Sequence, residues 1–223
     1  LSVFVQTCDL IGDPDWSPLC ALARDTAPAG ARSFFELFFR PVVIGQPPAL
    51  FTGYYEPELE GSPYRTARFA YPIYRRPPEL TDDTPWYPRS QIATGGRLQD
   101  RGLEIAWLAD PVDVYFLQVQ GSGRIRMSDG SVIRVGYAGR NNQPYRSIGA
   151  ELIRRGVFDE TQVSAAVIQD WVRRNPAEGR ALLNHNPSFV FFRKIADLSP
   201  QDGPIGAMTR PITPMRSVAV DPD

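Results

Sequence analysis

The chain has 223 residues, with 24 Lys and Arg against 25 Asp and Glu and a formal net charge of -1. That length allows one or two domains with a proper core, and the balanced charge gives no electrostatic case for nucleic acid or an acidic membrane surface. No apolar run reaches the ~18 residues that a bilayer span needs, and no leader segment opens the chain.

The 22 prolines favour strands, turns and ordered loops over a helical bundle, and no repeat is visible. Cys8 and Cys20 are the only cysteines, which excludes a four-cysteine zinc site. They fit a single bridge in an oxidising compartment, and equally two buried thiols.

Leu1 to Leu10 reads as the end of a helix, as though cut from something longer, and Gly12 to Asp15 breaks it. Ser33-Phe34-Phe35-Glu36 has the form of a capping box, so a helix is expected to start there. Its apolar residues surround it, which predicts burial, and Pro41 ends it. Val42 to Ile44 reads as a strand.

Leu50 to Pro57 then gives LFTGYYEP. In an extended chain Thr52, Tyr54 and Glu56 share one face, and Gly53 and Tyr55 the other. Tyrosine rings beside a glycine suit stacking against a sugar, although tyrosines also serve simply as good strand formers. Glu56, Glu58 and Glu60 read as a polar strand face, with a catalytic role open for Glu56.

Phe69 to Pro78 reads as a strand and then a loop, Ser90 stands in the first turn of a short helix, and Glu104 to Leu108 is a strand. Asp110 and Asp113 are expected as caps or turn residues. Val114 to Gln120 has the β-branched and aromatic content of a strand, which would put Gln118 and Gln120 on one side. Gly121-Ser122-Gly123 follows as a bare turn where a hydroxyl-rich ligand could lie against the backbone, or as a bulge in a small barrel. Arg124–Met127 and Val132–Val135 are expected to pair as a hairpin through Asp129-Gly130.

After Tyr137, a polar loop with Arg146 and Ser147 leads into a helix that ends near Gly156. Its N-terminus could receive an oxygen-rich ligand or simply be capped. A second helix is expected from about Asp159, and a third from Asn175 and Pro176 to Asn184. His185, the only histidine, fits a cap or surface group at a helix end. Ser188 to Phe192 is an apolar strand, 199–214 is a loop, and Arg216 to Val220 is a further strand. No P-loop, dinucleotide fingerprint, C-x-x-C or H-E-x-x-H is present.

Five segments in order, FTGYYEP, YPIYRRPP, VQGSG, YAGRNNQPYRSIG and NPSFVFF, resemble the membrane-bound lytic murein transglycosylase A family. The resemblance implies a mainly β protein with helices, an α+β fold. A double-psi β-barrel from residues 1–55 and 156–223, incomplete within this chain, would carry a second small β-barrel inserted at 56–155, with a deep groove between them. It implies cleavage of the N-acetylmuramic acid–β-1,4–N-acetylglucosamine bond of peptidoglycan, with the muramic C6 hydroxyl attacking its own C1 to leave a 1,6-anhydro end.

The glycan-binding residues implied are Thr52, Gly53, Tyr54, Tyr55, Gln118, Gln120, Gly121, Ser122, Gly123, Tyr137, Arg146 and Ser188. No catalytic residue falls within this chain, because the family's acid/base aspartate is expected after residue 223. No metal or organic cofactor is implied. The partners are peptidoglycan glycan strands and the C-terminal remainder of the protein, in the periplasm or at the outer membrane of a Gram-negative bacterium, with any lipid anchor upstream of Leu1. The alternatives are a non-catalytic peptidoglycan-binding module and a hydrolytic glycosidase that uses Glu56 with Asp110 or Asp113.

Overall fold

A computed structural model describes residues 1–43, 45, 56–196, 202–206, 210–213 and 215–217. The chain divides into two compact units, Leu1–Tyr55 with Leu198–Asp223, and Glu56–Asp197. Among the described residues no helix is long and apolar enough to cross a membrane.

In the first unit, α1 (Ser2–Thr7), α2 (Ser17–Asp25) and α3 (Ala31–Phe38) are short helices. A disulfide joins Cys8 to Cys20, with their Cα atoms 5.8 Å apart. Phe4, Trp16, Phe34, Phe35 and Phe39 gather into one aromatic cluster.

The expected capping box does not form. A 3-10 turn at Pro28–Gly30 runs straight into α3, so the helix begins before Ser33. Glu36 instead accepts from Arg32 Nε one turn earlier, at 2.7 Å. The helix is also not buried all round: among its described residues only Phe34 is buried, and Leu37 is 75% exposed. Val42 and Val43 lie exposed outside any strand, and Ile44 is outside the described residues.

The second unit is built on a six-stranded sheet. Its strands are β1 (Glu58–Ser62), β2 (Tyr71–Tyr74), β3 (Glu104–Leu108), β4 (Ser122–Met127), β5 (Val132–Arg140) and β6 (Val190–Ile195). Their order is β2-β3-β1-β4-β5-β6, with β1 and β4 parallel and the other pairs antiparallel. A bridge between Arg75 and Phe192 ties the two outer strands together, so the sheet curls closed and neither edge is left free along its whole length. β4 and β5 are the expected hairpin, closed by Gly130 at φ +87°.

The largest departure from expectation is α4 (Pro111–Gln120), a helix where the composition reads as a strand. Asp110 caps it by accepting from Val112 N at 2.9 Å, Pro111 fills its first turn, and Gly121 ends it at φ +78°. Val114 and Leu117 face one apolar cluster with Ile125 and Val135 of the sheet. Val112 and Tyr115 face another with α5 (Ile148–Arg154), α6 (Ala165–Arg174) and α7 (Pro176–His185). A helix buried on two sides carries apolar residues nearly all round.

α5 starts at Ser147, whose hydroxyl accepts from Ala150 N, and a reversal at Gly156 follows it, as expected. α6 starts later than expected. Asp159 Oδ1 accepts from Thr161 N, Thr161 Oγ1 and Gln162 N, which locks 159–162 in a turn, and Ser164 is the N-cap.

Residues 156–197, expected with the first unit, pack in the second. β6 pairs with β5, and α6 and α7 bury Ile168, Val172, Leu182 and Leu183 against α4. Arg216 and Ser217, where a strand is expected, form no strand, and Val218 to Val220 lie outside the described residues.

Candidate functional site

The α4–β4 junction brings together Gln120, Gly121, Ser122 and Gly123. Gly121 turns the chain out of the helix in the left-handed region, which a side chain disfavours. Gly123 is kept bare by space: an added Cβ would stand 2.4 Å from Leu117 Cδ1 and 3.2 Å from the Pro57 carbonyl oxygen. Ser122 is buried and pairs in register with Gly136 of β5.

Tyr137, the next residue along β5, is 52% exposed, and its Cβ is 4.0 Å from where a side chain on Gly121 would begin. Gln120 is partly exposed at the helix end. The junction thus offers an amide, a backbone turn bare at Gly121 and Gly123 and an aromatic hydroxyl, a set suited to a sugar's hydroxyls and flat C–H face.

The sequence ordering is carried here by Glu56 and Pro57. The Pro57 carbonyl accepts from Arg124 N at 2.8 Å, which pins the segment after Tyr55 beside β4. Glu56 Oε2 accepts from Arg124 Nε at 2.9 Å and Arg134 Nη2 at 2.7 Å, with the carboxylate 8% exposed. A carboxylate with two guanidinium groups on one oxygen is committed to an ion pair, and breaking it would leave buried charge uncompensated. Glu58 and Glu60 are exposed partners of Arg126 and Arg68.

Three expected residues do not join the junction. Gln118 is 4% exposed, with neither amide atom hydrogen-bonded among the described residues. On a helix, two positions apart is about 200° around the axis, so it faces away from Gln120. Ser188 and the backbone of Arg146 tie into a separate buried polar network, Arg146 itself being exposed. Asn186, 2% exposed, accepts from both their backbone N–H groups at 3.1 Å and donates to Tyr115 Oη at 3.1 Å. Burial pushes the Tyr115 hydroxyl up to about 12, so it stays a neutral acceptor for Asn186. Thr52, Gly53, Tyr54 and Tyr55 lie outside the described residues.

The same network explains the motif around Asn141. Its Nδ2 donates to the Tyr87 and Pro187 carbonyls, and its Oδ1 accepts from Phe189 N. Asn142, at φ +53°, donates to the Thr81 and Thr84 carbonyls. This polar loop therefore staples 81–87 to 187–189. Arg89, which sequence reasoning passes over, is 4% exposed and donates from Nε and Nη2 to the Asn186 and Ser188 carbonyls. Asp110 and Asp113 both accept from Arg173, at 2.7 and 2.6 Å, as structural groups. His185 closes α7 with Nε2 3.9 Å from Glu151 Oε2.

Comparison with known proteins identifies the family. Residues 50–193 match the family model described as the MltA specific insert domain. The chain is 39% identical over 174 residues to the membrane-bound lytic murein transglycosylase A of Vibrio cholerae, covering 77% of this chain and 45% of that protein. Among solved structures, a membrane-bound lytic murein transglycosylase from Agrobacterium tumefaciens superposes with a TM-score of 0.73 at 34% identity, over 88% of this chain and 60% of that one. Escherichia coli MltA with bound chitohexaose superposes with a TM-score of 0.65 at 36% identity, over 73% of this chain and 46% of that one. The chain spans just under half the length of the curated relatives it matches. With that match over residues 50–193, the chain belongs to the MltA family.

Proposed function

We propose that the protein is a peptidoglycan lytic transglycosylase of which residues 1–223 supply glycan-binding surface. The observation that carries this reading is the likeness to E. coli MltA with bound chitohexaose, a β-1,4-linked amino-sugar chain. The Gln120–Gly123 junction beside Tyr137 is the part of the second unit whose chemistry suits such a strand, and Thr52 to Tyr55 precede Pro57 in the same segment. The first unit contributes to the double-psi barrel.

The reaction protonates the glycosidic oxygen as the bond to C1 breaks. The muramic C6 hydroxyl then adds to C1 and gives up its proton to the same acid, so no water is consumed. That role needs a carboxylic acid kept protonated by burial. The acid is an aspartate in the part of the relatives' length that these residues do not span. Glu56 is unsuited to it, because two arginines hold its carboxylate. The Cys8–Cys20 bridge supports an oxidising compartment, hence the periplasm or outer membrane of a Gram-negative bacterium, with any lipid anchor preceding Leu1.

The test is mass spectrometry of muropeptides released from purified sacculi by the full-length protein, alongside cosedimentation of the 223-residue chain. Release of 1,6-anhydro products and binding by the chain are expected. Gln120→Ala should weaken binding about tenfold, the loss of a hydrogen bond or two, without lowering the melting temperature. Hydrolysed reducing ends would overturn the reaction class, and binding without release by the full-length protein would leave a binding module.

A further inference from the structure

The second unit contains a cavity of about 430 Å³, distinct from the Gln120–Gly123 junction and walled by α4, α6, α7, Pro72 and Phe189. Its surface is largely apolar, with Val112, Val114, Val172 and Leu183 contributing. Its charge is unbalanced. Arg173 on the wall faces two carboxylates, Asp110 and Asp113, which leaves that cluster one charge negative, while Arg89 and Arg180 have no carboxylate partner among the described residues, so the positive charge is in excess by one.

Arg89 is the more unusual of the two. It is 4% exposed, its guanidinium lies over the Tyr115 ring at 4.5 Å and the Phe189 ring at 5.3 Å, and two carbonyls accept from Nε and Nη2. Nη1 makes no hydrogen bond among the described residues. Burial pulls its pKa down to about 10, still charged at neutral pH but in surroundings that disfavour the charge. Aromatic faces and carbonyl dipoles offset part of that penalty, whereas an anion in the cavity would offset far more.

We propose that this cavity binds a carboxylate of the short peptide carried by murein, with Arg89 at its floor and Arg180 at its rim. The inference rests on the murein reading above, and two considerations select the peptide. In murein the lactyl carboxyl is tied up in an amide bond to the peptide, so the glycan strand is neutral and the carboxylates belong to the peptide stem. The cavity also has the volume of a small-ligand site, and its apolar walls suit alkyl side chains between charged groups.

The distances agree. Val112 on the cavity wall and Gln120 at the junction are eight residues apart on one helix, about 12 Å at 1.5 Å per residue. An extended peptide of four residues spans about 13 Å. A stem leaving a glycan held at Gln120 therefore has the length to reach the wall at Val112 of the cavity that Arg89 also lines.

The experiment is calorimetric titration of the full-length protein with the free tripeptide L-Ala–γ-D-Glu–meso-diaminopimelate and, separately, with peptide-free chitohexaose. Arg89 clamps the 186–188 carbonyls, so its removal is a folding risk. The variants are Arg180→Glu, which reverses the rim charge, and Ala93→Trp, which fills the cavity without changing charge. Each should weaken tripeptide binding about tenfold or more, while leaving chitohexaose binding and the melting temperature unchanged. Tripeptide binding that neither variant moves, or chitohexaose binding without tripeptide binding, overturns the peptide site alone. Binding of neither ligand by the unsubstituted full-length protein overturns the murein reading along with it.

Discussion

Gly121 and Gly123 are bare for different reasons, and the difference has a measurable consequence. At Gly121 the obstacle is conformational: φ is +78° and the nearest atom to an added Cβ is 4.0 Å away. A side chain there should cost about 1 kcal/mol. At Gly123 the obstacle is space, since an added methyl would meet Leu117, itself 1% exposed, and the Pro57 carbonyl. Leu117 is packed among Val114, Ile125 and Val135 and cannot swing aside. Gly123→Ala should therefore lower stability by about 1–3 kcal/mol in urea unfolding, the range for overpacking a filled site. The Gln120–Gly123 junction should loosen with it, because the same contact holds Pro57 against β4. A Gly123→Ala protein with an unshifted midpoint would show that the close approach of these segments does not hold the junction together.

The helix that carries this junction was the hardest element to read. Val114 to Gln120 is β-branched and aromatic, and α4 is buried on two sides, so neither composition nor a single apolar stripe marks it as helical. Its ends were legible: Asp110-Pro111 is a helix start and Gly121 a helix stop, although the same residues also read as a turn and a ligand-binding bend. Where local chemistry alone decides, as in the Asp129-Gly130 hairpin or the Ser147 cap, sequence and structure agree.

The double arginine clamp on Glu56 and the Asn186 network were not legible. Glu56 lies 68 and 78 residues from its partners, and no local pattern encodes such pairing. If Asp110 is the cap that turns this segment helical, Asp110→Ala should remove the acceptor for Val112 N and one partner of Arg173. A loss of about 1 kcal/mol is expected, with Asp110→Asn recovering most of it because an amide oxygen also caps. Equal losses for both would assign the effect to the ion pair instead.

The two units are secured by different means. The second has three apolar clusters and a sheet whose outer strands meet at Arg75 and Phe192. In the first, the buried hydrophobic residues among those described are Cys8, Cys20, Ala23 and Phe34. A small core leans on covalent links, and the disulfide there closes a short loop, with a sequence separation of 12. Restricting the unfolded chain over such a loop is worth about 3 kcal/mol.

Reduction should thus act locally. Hydrogen exchange read by mass spectrometry on the 223-residue chain, with and without reductant, should show faster exchange across α1 and α2. The amides of α4 and β5 should keep their protection, because their burial and pairing lie entirely within the second unit. Acceleration of both regions by the same factor would mean that the units open as one cooperative system, so that an oxidising environment would stabilise the Gln120–Gly123 junction as well as the fold that bears the bridge.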